Sequence, residues 1–306
     1  MGSAGARSNA TMNSARAARI GLACALLGAI GFSGKAIIIK LAYRHGVDAV
    51  TLLMWRMLLA LPLFLALAWW AGRDRPPLNA RDWRDILMLG FTGYYLASFL
   101  DFAGLQYISA SLERLILYLN PTLVLLMGLL FLGQRASRAQ LLALGLSYAG
   151  ILLVFAQELH FEGRSTLIGS ALVLGSALSY AVYLVHSGQV LKRLGALRLT
   201  GLATSVACGL CILQFLLLRP LEAAFVPAPV FWLSLLNATA CTFAPVILVM
   251  LGIERIGAAR AAQTGMVGPM STLLMGVVLL DEPLTATVLL GTALVLAGVA
   301  VLAKYR

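Results

Sequence analysis

The stretch ISASLERLILYLNPTLVLLMG, Ile108–Gly128, returns 148 residues later as IGAARAAQTGMVGPMSTLLMG, Ile256–Gly276. Extended to Phe155 and Ala303, the two stretches align without a gap and agree at 13 of 48 positions, among them Pro121/Pro269, Met127/Met275, Gly128/Gly276 and Gly150/Gly298. Leucine pairs arise from composition; proline, glycine and methionine pairs at one fixed offset do not. The same offset sets Gly21 against Gly169, Phe32 against Tyr180 and Gly104 against Gly252, so the chain is two copies of one unit.

Of the 306 residues, 61% are hydrophobic and 11% charged, more apolar surface than a soluble domain of this size can bury. A membrane-crossing helix needs roughly 20 apolar residues. Ten such stretches lie at about 19–41, 49–71, 84–106, 109–132, 138–156, 166–190, 199–218, 229–253, 257–280 and 284–303. The expected fold is an all-α integral membrane protein of ten transmembrane helices arranged as two inverted five-helix repeats. Residues 1–18, small and polar, are expected to be a disordered tail, 19–156 the first repeat and 157–303 the second. An odd number of spans in each copy turns the second upside down relative to the first. Inverted repeats place a site at the bilayer midplane and predict transport by alternating access.

The net charge of +11 is a topology signal. Counted at alternate ends of the spans, sixteen Lys and Arg fall on the side of the termini and three, Arg44, Arg164 and Arg219, on the other. That bias puts both termini in the cytoplasm and makes the lipid bilayer, not nucleic acid, the partner of the basic residues. The four cysteines all fall within spans, where Cys208 and Cys211 read as small packing residues. His45, His160 and His186 are scattered, so no metal site is expected, nor any cofactor. Gly31 to Ala36 lacks the spacing of a phosphate loop, and neither a nucleophile elbow nor a His-Glu-x-x-His motif occurs; the chain is not expected to be an enzyme.

Prolines 62, 121, 245 and 269 interrupt spans. Each removes a backbone hydrogen bond, tolerable in a bilayer only where protein or a watery cavity satisfies the freed carbonyl. Asn120-Pro121 and Gly268-Pro269 match under the offset, and a paired break marks either a midplane binding site or a kink that shapes packing. Gly28, Gly31 and Gly34 in the first span suit close packing, as do Gly145/Gly150 and Gly291/Gly298, which make spans five and ten supporting or dimer-forming elements. Monomer and homodimer both remain open. Trp55, about two turns inside its span, faces either the interior or the outer interface.

Six ionisable residues lie within spans, all in the first copy and toward the ends away from the termini: Lys35, Lys40, Arg56, Asp101, Glu113 and Arg114. Their mates are Tyr183, Gly188, Thr204, Val249, Ala261 and Ala262, so the copies share a fold and not a chemistry. Charges in lipid must pair or face water. Two readings stand: a structural salt-bridge network, or a gate of Arg56, Glu113 and Arg114 beside a site that binds a substrate's charged ends. Helical spacing gives polar stripes at Tyr94, Ser98 and Asp101, at Gly28, Gly31, Phe32 and Lys35, at Ser176, Ser179, Tyr180 and Tyr183, and at Arg114, Tyr118 and Pro121 beside Asn120. These faces plus Gln263, with Met54, Met266 and Met270 as adaptable walls, are expected to enclose one cavity. In it Lys35 or Arg114 meets a carboxylate, Asp101 or Glu113 an ammonium, and Tyr94, Tyr118, Tyr180 and Tyr183 a side chain. Gln263 reads equally as an interhelical hydrogen bond.

Ten short spans, with a proline-bearing helix and then a glycine-rich one closing each half, resemble the drug/metabolite transporter superfamily. The carrying stretches are Tyr118-Leu-Asn-Pro121 through Leu141 to Gly150, and Val267-Gly-Pro269 through Asp281-Glu282-Pro283 to Gly298. Within it the chain is most similar to YddG-type exporters of aromatic and other neutral amino acids. The resemblance implies a multi-pass bacterial inner-membrane protein that moves a small molecule, an amino acid or amphipathic metabolite, outward through a cavity walled by spans one, three, four, six, eight and nine. Export of organic cations or drugs, with possible proton coupling, is the alternative. Two positions depart from the family: Gln134 stands where an acid is frequent, while the second copy keeps Glu282, and Phe32 stands for a frequent tryptophan.

Overall fold

The computed structural model describes residues 3–131 and 137–304. It holds ten helices long and apolar enough to cross a membrane: Ala17–Tyr43, Ala49–Gly72, Ala80–Gly104, Ala110–Leu130, Arg138–His160, Arg164–Gly188, Ala196–Leu218, Ala228–Ile256, Gln263–Leu280 and Ala286–Lys304, numbered spans 1 to 10. No strand occurs among the described residues. The first helix runs from Ser3 to Tyr43, so the residues read as a disordered tail are helical from Ser3 onward. Both ends of the ten-span chain lie on one face, the terminal face; the other is the far face.

Local chemistry sets the span ends. Asp48 accepts from the Val50 and Thr51 amides at the start of span 2, and Asn79 with Asp82 forms a reciprocal cap at the start of span 3. Ser137 and Gln140 do the same for span 5. Gly257, at φ +80°, supplies the positive dihedral that separates spans 8 and 9.

The repeat extends to the irregularities. Span 3 widens into a π-helical turn over Gly90–Leu96 and span 8 over Thr239–Phe243, matching positions under the 148 offset. Span 4 breaks at Tyr118 and Leu119, between Ala110–Leu117 and Asn120–Phe131; span 9, taken with the helix Ala258–Gly265 that leads into it as its first half and Val267–Leu280 as its second, breaks at Met266, the mate of Tyr118. Packing obeys the same symmetry. Span 1 lies on span 8 as span 6 lies on span 3, span 2 pairs with span 7, and span 5 pairs with span 10.

Two contacts show how small residues permit this. A methyl on Gly150 would stand 2.5 Å from the Gly291 carbonyl and one on Gly291 would stand 2.7 Å from the Gly150 carbonyl, so spans 5 and 10 touch backbone to backbone within one chain. A methyl on Gly28 would stand 3.2 Å from the Pro245 carbonyl of span 8, and one on Gly31 3.0 Å from the Ala240 carbonyl. Their mates Ser176 and Ser179 donate, each at 2.7 Å, to the carbonyls of Ala97 and Thr92, the mates of Pro245 and Ala240. A π turn leaves carbonyls out of register. Span 6 satisfies them with hydroxyls, and span 1 meets them with bare glycine.

The tryptophans follow the interfaces: Trp69, Trp70, Trp83 and Trp232 are exposed. Trp55 resolves to the outer reading, its indole donating to the Ala224 carbonyl of the short helix Leu221–Ala224 at 3.1 Å. Met54 packs with Val50 and Phe215 in the core and is not a cavity wall.

Candidate functional site

The central spans form two groups. Spans 3, 4 and 6 pack together, and so do spans 1, 8 and 9. Toward the far face the groups close: the first half of span 4 lies against the second half of span 9 and against span 1. The mates of those contacts are the second half of span 4 against the first half of span 9, and span 6 against that same half. Among the described residues neither is an extended packing. Among the described residues the two groups are therefore tied toward the far face and make no comparable contact toward the terminal face, an asymmetry in a symmetric frame.

The closed side is held by charge. Lys35 of span 1 reaches across to Asp101 of span 3 at 2.5 Å and to Glu113 of span 4 at 3.3 Å. Asp101 and Glu113 are 2% and 0% exposed, so this triad is a buried ionic tie between the two groups. A second tie comes from Glu282, between spans 9 and 10, which accepts from the amides of Ala110 (2.7 Å) and Ser111 (3.3 Å) and from the Ser111 hydroxyl (2.6 Å) at the start of span 4. An anion at a helix N-terminus meets both unpaired amides and the positive end of the helix dipole. Glu158, ending span 5, holds Ser109 through its amide and hydroxyl. Lys40 donates to the Leu105 and Ile108 carbonyls, and Arg44 to the Leu280 carbonyl. Above these contacts a far-face cavity of about 780 Å³ is lined by Lys40, Tyr43, Ser109, Ser111, Glu158 and Glu282 among others.

At the midplane the paired breaks meet. Pro121 and Pro269 leave the carbonyls of Leu117 and Gly265 without their helical donors. Asn120 Nδ2 donates to Leu117 at 2.7 Å, and the Tyr118 hydroxyl donates across to Gly265. Arg114 Nη2 donates to the Ser33 hydroxyl at 3.2 Å, and Ser33 donates to the Gly268 carbonyl at 2.9 Å. Tyr118 and Arg114 press so closely on Gly268 that a methyl there would stand 2.5 and 2.7 Å from them. Tyr118→Phe leaves the Gly265 carbonyl without its donor, and is expected to cost about 1–3 kcal/mol, read as a lower midpoint of thermal unfolding in detergent.

Several residues expected around one cavity are placed in packing. Tyr94 and Tyr183 share a hydroxyl contact at 3.2 Å, and Tyr180 stacks on Tyr183 with centroids 5.2 Å apart. This cluster fills the join of spans 3, 6 and 7, and Ser179 holds the π turn of span 3. Arg56 donates to Thr242 at 3.0 Å and lies over the Phe102 ring. Ser98 is half-buried, Gln263 is exposed, and Pro245 packs on Gly28 and Gly31. Pro121 is exposed and Pro269 buried. Gln134 lies outside the described residues. What the stripes miss is the far-face set of Ser109, Ser111, Glu158 and Glu282, in which one acid ends span 5 and the other lies in the short loop after span 9.

Inverted five-helix repeats, paired breaks at the midplane and closure at one face define a membrane transporter. The profile of the EamA-like transporter family matches residues 19–156 and again 167–304, the same 148-residue offset, and the chain belongs to that family, within the drug/metabolite transporter superfamily. It is similar to the uncharacterized transporter YcbK of Bacillus subtilis, at 30% identity over 88% of each chain. It is also similar to the uncharacterized transporter sll1319 of Synechocystis, at 24% identity over 92% of this chain and 93% of that one. A crystal structure 20% identical in sequence aligns with a TM-score of 0.59, covering 94% of this chain and 96% of its own, which speaks for the fold alone. The relatives are transporters and not enzymes.

Proposed function

We propose that the protein is a secondary transporter that exports neutral or aromatic amino acids, or related small metabolites, across a bacterial inner membrane by alternating access. The observation that carries this reading is the asymmetry of the two groups, parted toward the terminal face and tied at the far face by Lys35, Asp101, Glu113 and Glu282. With sixteen basic residues against three, the terminal face is the cytoplasmic one, and the open side is where an exporter loads. Arg114 supports the substrate class. It stands beside the midplane break, its Nε–H is buried and donates to no partner among the described residues, and Ser33 and Tyr118 flank it, the setting of a carboxylate anchor beside an aromatic ring. Loading there, closure of the terminal side and loss of the far-face ties would carry the substrate outward.

The second reading, export of organic cations, draws on Asp101 and Glu113, two carboxylates that share one lysine. The purified protein in liposomes, offered a panel of amino acids and organic cations with and without a proton gradient, is expected to exchange amino acids, and Arg114→Lys to lose most of that exchange. Cation transport without competition from any amino acid would overturn the proposed substrate class.

A further inference from the structure

Lys35 does not answer all of the negative charge it faces. It meets Asp101 through Oδ2 and Glu113 through Oε1, while Asp101 Oδ1 and Glu113 Oε2, sealed from solvent, receive no hydrogen bond among the described residues. The other titratable or charged groups turned toward the triad are Tyr43 from the end of span 1, Arg56 from span 2, Arg114 from span 4 and Cys241 from span 8. None of them bonds to either carboxylate: Tyr43 donates to the Phe102 carbonyl at 2.6 Å, Cys241 is a free thiol, and Arg56 and Arg114, which keep their charge, donate to the hydroxyls of Thr242 and Ser33. Two buried carboxylates that share one ammonium repel each other, and a proton held between them relieves that repulsion and supplies the missing donor.

We propose that Asp101 and Glu113 form a proton-binding dyad that operates the far gate. This rests on the alternating-access reading above. With one proton on the dyad, a single negative charge is left against Lys35 and the tie between the two groups of spans holds. A second proton leaves the ammonium without a counter-charge, the tie dissolves, and the far side parts. The proton comes from far-face water: the cavity lined by Ser109 and Ser111 ends one helical turn from Glu113. The mates of the triad, Tyr183, Val249 and Ala261, offer no such group, so the gate on the terminal side has no corresponding dyad. Proton binding thus favours one of two conformations, which is what coupling requires.

The test uses the full chain in lipid nanodiscs, with its four cysteines replaced by alanine and spin labels on cysteines placed at the exposed residues Gln106 and Leu284, one on each group of spans at the far face. Electron–electron distance measurements are expected to gain a longer population on acidification, and Asp101→Asn with Glu113→Gln to lose that response. Glu113→Asp, which keeps an acid, is expected to keep it and controls for misfolding of the amide pair. A distance distribution that ignores pH, or that responds equally in the amide pair, would overturn the dyad. Transport is scored separately in liposomes. Amino acid exchange indifferent to a proton gradient overturns the dyad and leaves the transport reading standing; a pH-driven distance change without amino acid exchange supports the dyad and overturns the substrate class.

Discussion

Replacing Lys35 with methionine is expected to cost the far-closed state roughly 3–5 kcal/mol. Methionine keeps the apolar stem and removes the ammonium, so packing changes little and charge changes completely. Asp101 and Glu113 then stand buried without the ammonium they share. The two arginines nearby, Arg56 and Arg114, donate to the hydroxyls of Thr242 and Ser33 and pair with neither acid among the described residues. Beyond uptake of a further proton by the dyad, the strain has two outlets, parting of the far face or loss of the fold, and two measurements separate them. Thermal unfolding in detergent reports the second; the Gln106–Leu284 distance reports the first. The triple change Lys35→Met, Asp101→Asn, Glu113→Gln removes the uncompensated charge and is expected to recover most of the stability, as exchange of buried ion pairs for neutral groups often does. A single Lys35→Met variant with wild-type stability and distance would mean that the triad bears no part of the closure.

How much of this the sequence discloses follows from what a bilayer demands. Lipid requires each span to be long and apolar, so the number of spans and the 148-residue repeat are written openly, and the paired prolines mark the breaks at Tyr118 and Met266. The π turns are not marked, because Gly90–Leu96 and Thr239–Phe243 share geometry and no common residue pattern. Helical spacing correctly gathers Tyr94, Tyr180 and Tyr183 near one another. It cannot say which neighbour they meet, because in a bundle a polar stripe is turned from lipid equally well by packing or by a cavity. Here the tyrosines meet span 7 and each other. The salt-bridge reading of the intramembrane charges narrows to Lys35 with the two acids, since Arg56 and Arg114 go to hydroxyls. The resemblance marks Glu282 as an acid but does not give its partners. Its partners are 171 and 172 residues away in sequence, and nothing local in Asp281-Glu282-Pro283 announces a helix cap.

Glu282 is also where the second large effect is expected. Glu282→Ala removes a carboxylate that holds two amides and one hydroxyl at the start of span 4, worth roughly 2–3 kcal/mol together. The position of those bonds decides what the loss does. They join the loop after span 9 to span 4, across the two groups, so they exist only while the far face is closed. Opening exposes the same amides to far-face water, which replaces the cap. The change therefore weakens one conformation far more than the other and is expected to raise the far-open to far-closed ratio on the order of 30- to 150-fold. Glu158→Ala supplies the contrast. Glu158 caps Ser109 from span 5, within the first repeat, and its loss is expected to lower the unfolding midpoint without lengthening the Gln106–Leu284 distance. If both variants lengthened that distance alike, the closure would depend on the order of span 4 as a whole. Lengthening in Glu282→Ala alone would locate it in the tie between the two groups of spans.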